Sequence, residues 1–90
     1  MNSSKKEKLV KNMAENLPVL RKKANLTQEK LASLTGVSRS TIITIENKKK
    51  MSWSMLLCLI LVFSQFRETE PLLRVFEIYT EEFADLLRMW

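Results

Sequence analysis

Apolar residues recur along most of this chain at intervals of three and four, the spacing that gathers side chains onto one face of an α-helix rather than one face of a strand. Leu9, Val10 and Met13 predict a helix over about residues 4–15, with Ser3-Ser4-Lys5-Lys6-Glu7-Lys8 as its first turns rather than a disordered basic arm. Asn16 is then the expected cap of a second helix that starts at Leu17-Pro18, where proline is tolerated because first-turn amides have no partner anyway. Leu17 and Leu20 turn inward there, followed by Ala24. Thr27 is the N-cap signal for a helix beginning Gln28-Glu29-Lys30-Leu31-Ala32, and Gly36 is its stop, where the chain needs a positive φ. Ser38 repeats the capping signal for Arg39 to Asn47. Thr41 to Ile45 is β-branched at every position and by itself reads as a strand. The caps, Gly36 and the helical spacing of Ile42 and Ile45 agree with one another over twenty residues and override that local preference.

Met55 to Phe63 is nine apolar residues without interruption. That is far short of the roughly 20 that span a bilayer, and its place in mid-chain does not fit an export signal. It predicts a helix covered on several sides, with Trp53, Leu56, Leu57, Leu59, Ile60 and Phe63 in the core. Thr69 and Pro71 then signal another helix, with Leu72, Leu73, Val75 and Phe76 on its apolar side. Thr80-Glu81-Glu82 caps a last one through Leu87. Phe83, Leu86, Leu87 and Trp90 recur at helical spacing, so this final face either closes the core or meets a partner.

Gln28, Ala32, Gly36, Ile42 and Ile45 have the separations that a helix-turn-helix requires. Ala32 is small where the second helix crosses, Gly36 turns the chain, and Leu31, Val37, Ile42 and Ile45 pack the two helices together. With Arg21, Leu26-Thr27-Gln28-Glu29-Lys30-Leu31-Ala32, Gly36-Val37-Ser38 and Ile45-Glu46-Asn47, the segment Leu17 to Phe63 resembles the phage-repressor and Cro type of helix-turn-helix family, the XRE family. The resemblance implies an all-α, lambda-repressor-like bundle of about five helices, here with one or two extra carboxy-terminal helices. Its third helix would enter the major groove, commonly as a dimer on a palindromic operator. The fourth helix would pack against the first and third. The whole chain is then one domain, residues 1–90, with a DNA-binding core at 17–63 and a carboxy-terminal extension at 69–90.

Carried over by position, the resemblance puts Gln28 at the DNA backbone, and Arg39, Ser40 and Thr44 toward bases. Ser38 and Thr41 fall near phosphates or the groove wall, and Asn47, Lys48 and Lys49 on phosphate. Arg21 and Glu46 match the family's internal ion pair. Asn25 and Lys48 stand where the family often has glycine; asparagine tolerates the left-handed conformation, which makes the first departure mild. Chemistry supports part of this independently, because only Arg39 can give guanine two parallel hydrogen bonds, whereas Ser40 and Thr44 offer one hydroxyl each and Ile43 a contact for a thymine methyl. Specificity then leans on DNA shape as well. The alternative for Arg39 is a solvated helix end; for Ser38, capping is the principal role.

Net charge sharpens the division of the chain. Its +5 hides twelve Lys or Arg against four acids in residues 1–50, and three against six in residues 51–90. A basic half that contains the entire motif, with Lys48-Lys49-Lys50 directly after the reading helix, is the footprint of a phosphate-binding surface. Cys58 is the only cysteine, expected buried and reduced, which suits a cytoplasmic protein. Without histidine there is no zinc set and no Ser-His or Cys-His pair, and Gly-rich phosphate loops are absent, so no cofactor is expected. The glutamates of the carboxy-terminal half form a solvated acidic face more readily than an acid-base pair or Mg²⁺ site. Three functions follow in descending order: a DNA-binding transcription regulator acting as a homodimer, an adaptor or antitoxin holding a protein partner on its hydrophobic carboxy-terminal helices, and a small enzyme.

Overall fold

The computed structural model of the chain describes residues 3–88, apart from the side chains of Glu82, Leu86 and Leu87. Among the described residues there are six helices and no strand: α1 (Ser3–Lys23), α2 (Gln28–Thr35), α3 (Arg39–Lys48), α4 (Trp53–Phe63), α5 (Glu70–Val75) and α6 (Glu81–Arg88). The helical reading of the β-branched run Thr41 to Ile45 holds, since all five residues lie within α3.

The break expected at Asn16 is absent. One helix of 21 residues runs from Ser3 to Lys23 with Pro18 inside it. Asn16 caps nothing; its Nδ2 donates to the Asn12 carbonyl at 2.8 Å. An interior proline costs a helix about 3 kcal/mol through a lost hydrogen bond and a clash with the preceding turn. Against this, Leu9, Met13, Leu17 and Leu20 form one continuous stripe and are each buried to 5% exposure or less. Complete burial of such side chains contributes about 1.5–3 kcal/mol apiece, so keeping the stripe on one rod outweighs the proline.

Thr27, Ser38, Ser52 and Thr80 cap the helices that follow them, each hydroxyl accepting from the backbone amide three residues on. Thr69 departs from this expectation. Its fully buried hydroxyl donates backward to the Phe63 carbonyl at 2.7 Å, satisfying the end of α4 rather than the start of α5. Gly36 has φ +74° and closes α2 by donating to the Ala32 and Ser33 carbonyls. A Cβ built there meets nothing within 4 Å, so only the backbone conformation demands glycine. Gly36→Ala is therefore expected to destabilise by about 1–2 kcal/mol, and Gly36→Asn, which is larger but at ease in that conformation, by less. Thermal denaturation of both variants checks this; Asn melting below Ala would show that space, not φ, is limiting.

Helix α4 packs chiefly against α1 and α2, not against α1 and the recognition helix as the family pattern implied. Leu56, Leu59, Ile60 and Phe63 are buried as expected, and so is Met55, while Trp53 and Leu57 are half-buried. In the carboxy-terminal part Leu73 is buried, but Val75 is 68% exposed, and Ile78, which the periodicity did not single out, is fully buried in its place. The chain turns at Glu77, φ +57°, and Ile78 and Tyr79 donate back to the Leu73 carbonyl, which swings Ile78 into the core. Phe83 stacks edge-on against Trp53 and Tyr79, with ring centroids 5.8 and 5.6 Å apart. Buried residues from Leu9 to Phe83 thus form one cluster. The expected interface through Leu86, Leu87 and Trp90 lies outside the described residues. Cys58 is half-buried rather than buried.

Candidate nucleic-acid interface

Helices α2 and α3 pack closely on each other and set the geometry of the site. Ile42 and Ile45 are buried beneath α3, with Leu31 and Ala32 buried on α2 and Val37 packed half-buried against the same core. That contact fixes the roll of α3. Arg39, Ser40, Thr44 and Asn47 consequently stand exposed on its opposite side, and Ile43 is half-exposed between them. An open groove of about 410 Å³ runs beside α3 past Ser40, Thr41, Thr44 and Lys50.

The hydroxyls at the start of α3 form a cluster of their own. Ser38 Oγ accepts from the Thr41 amide at 3.2 Å and lies 2.9 Å from both Ser40 Oγ and Thr41 Oγ1. Capping is thus the principal role of Ser38, and Thr41 is tied to it. Ser40 is exposed but engaged, so contact with a base must exchange or share its bond to Ser38. The hydroxyl of Thr44 carries no such bond among the described residues.

Arg21 and Glu46 make the expected ion pair, with Nε donating to Oε2 at 2.7 Å and the two side chains 14% and 8% exposed. Two further bonds were not anticipated from the sequence. Arg21 Nη1 donates to the Leu26 carbonyl at 3.0 Å, and Gln28 Nε2 donates to Glu46 Oε1, also at 3.0 Å. One carboxylate on α3 thereby holds a guanidinium from α1 and an amide from α2. Because a carboxylate only accepts, the Gln28 amide must present its nitrogen inward, which orients the half-buried Gln28 at the start of α2.

Asn25 adopts φ +58°, as its residue type allows. Lys48, in contrast, stays helical, and the left-handed residue after α3 is Lys49, φ +58°, whose amide closes the helix on the Ile45 carbonyl. A lysine in this conformation is strained by about 1–2 kcal/mol, partly offset because glycine would lose more freedom on folding. Lys49→Gly is therefore expected to raise stability by up to about 1 kcal/mol while weakening binding to every duplex alike and lowering the salt slope by about 0.9. Denaturation and salt-dependent binding of the same variant check both halves. Lys48, Lys49 and Lys50 are all exposed.

Two crossed helices, a glycine turn and a carboxylate-tied reading helix define a helix-turn-helix bundle. The family model for the helix-turn-helix domain matches residues 14–61, more than half of the chain, and the protein belongs to that family, within its XRE-type group. No curated protein and no solved structure matches the chain. Such a domain is a DNA-binding module. No helix among the described residues is long and apolar enough to cross a membrane.

Proposed function

We propose that the chain is a sequence-specific transcription regulator, a repressor that lays α3 in the major groove of an operator and excludes polymerase by occupying its site. One observation carries the reading. Arg39, Ser40, Thr44 and Asn47 are exposed along one side of α3 while Ile42 and Ile45 anchor the other. A guanidinium with hydroxyl neighbours on an anchored helix suits base edges, and Ser38, Thr41, Lys48 and Lys49 surround it with donors for phosphates, while Gln28 stands at the start of α2 with its amide nitrogen held by Glu46. The proposed role is binding rather than catalysis, in the cytoplasm.

Homodimer formation belongs to the same proposal. Leu34 and Leu61, 46% and 66% exposed, border one open groove together with Val62 and Phe66, and a second copy would cover such surface while doubling the operator contacts. The same surface supports an adaptor or antitoxin reading, in which a different protein covers it. Selection of bound sites from random duplexes, combined with a sizing measurement, tests these together. A palindromic consensus and a dimer support the regulator; a monomer that enriches no sequence counts against it.

A further inference from the structure

Beside the far end of α3, the amino-terminal turns of α1 and the segment after the recognition helix enclose a groove of about 360 Å³. Lys6, Lys11, Lys49 and Lys50 line it together with Trp53, and Glu7 is its one acid. Residues 3–13 of α1 precede the stretch that matches the family model, so half of this groove's lining lies outside the match. Lys6 Nζ sits 5.3 Å from the Trp53 ring centroid, a cation–π contact that holds the ammonium over the groove. Lys11 pairs loosely with Glu15 at 3.9 Å, both side chains being about half exposed or more. Among the described residues no carboxylate forms an ion pair with Lys6, Lys49 or Lys50.

We propose that this groove is a second phosphate clamp, in which Lys6 and Lys11 of α1 join Lys49 and Lys50 in gripping the duplex backbone beyond the helix-turn-helix. The inference rests on the DNA-binding reading and extends it. Helix stability alone argues against the placement of Lys6, because the first turn of α1 carries lysines and no acid, where the macrodipole disfavours positive charge. Continuity with the reading helix identifies the occupant. Lys49 is the residue that closes α3, and ten helical residues separate it from Arg39 by about 15 Å. The major groove is about 12 Å wide, so a helix that meets bases near Arg39 brings its other end to the phosphates of the groove wall. Four ammonium groups fit that wall.

The test uses the full chain and a fluorescent random-sequence duplex, titrated between about 50 and 200 mM salt. The double variant Lys6→Gln/Lys11→Gln, with its fold checked by circular dichroism, is expected to bind about tenfold more weakly at low salt, with a salt slope shallower by about 1.8. In a Trp90→Phe background, the emission of Trp53 should also change on addition of duplex, since phosphate entering the groove displaces Lys6 from the ring. A wild type that binds duplex, with a double variant of unchanged affinity and slope, overturns the clamp and leaves the DNA-binding reading standing. A wild type that binds no duplex at all overturns both, and preferential binding to vesicles of anionic lipid would assign the groove to a membrane surface instead.

Discussion

Glu46→Ala is expected to lower stability by about 3 kcal/mol, which in a domain of this size moves the melting temperature down by about 15 °C. The size of the effect follows from what stays behind rather than from what is removed. Arg21 is only 14% exposed, and without Glu46 its charge keeps a single described partner, the Leu26 carbonyl. Gln28 loses its acceptor at the same time. Because desolvating two charges offsets most of their attraction, replacing the whole pair should cost far less than breaking it. Arg21→Met/Glu46→Leu should therefore recover most of the lost stability. The double variant then isolates the functional part, since its fold is intact while Gln28 and α1 are no longer tied to α3. Weaker duplex binding by that stable variant would show that the carboxylate positions the interface. A Glu46→Ala protein that melts with the wild type would refute the network's contribution outright.

Most of the site was legible in the sequence because its constraints are local and few. A hydroxyl at Thr27 or Ser38, a glycine at Gly36 and alanine at Ala32 are residue types with narrow conformational meanings, and each does in the structure what its type dictates. Arg21 and Glu46, 25 residues apart, were found only through the family resemblance, since nothing in their spacing joins them. Where the reading failed, a long-range term outweighed a local signal. Asn16 and Pro18 form a plausible helix start, yet the buried stripe from Leu9 to Leu20 keeps α1 whole. Thr69 looks like a cap, but the carbonyl at the end of α4 is nearer its hydroxyl. Val75 is exposed because, two residues after the buried Leu73, it falls on the opposite side of α5, and the turn at Glu77 brings Ile78 into the core instead. The groove behind Lys49 joins residues about forty positions apart, and no pattern along the chain announces it.

Arg39→Ala is expected to weaken binding to a selected operator by about 1–3 kcal/mol, roughly 5- to 150-fold, and to relax the preference at one base pair. On random duplexes the loss should be much smaller, so that the ratio of specific to nonspecific affinity collapses. Arg39 is exposed at the first position of α3, where the helix dipole disfavours a cation, and among the described residues no ion pair accounts for it. Removing it should leave the melting temperature unchanged or slightly raised, which distinguishes it from Glu46. Arg39→Lys separates charge from readout: lysine keeps the attraction to phosphate but lacks the planar fork that matches guanine O6 and N7. If Lys restores operator affinity fully, or if Ala costs the same on operator and random DNA, Arg39 acts as a diffuse charge. Specificity would then have to come from Thr44, Ser40 and the deformability of the DNA, because no other side chain of α3 carries a guanidinium fork.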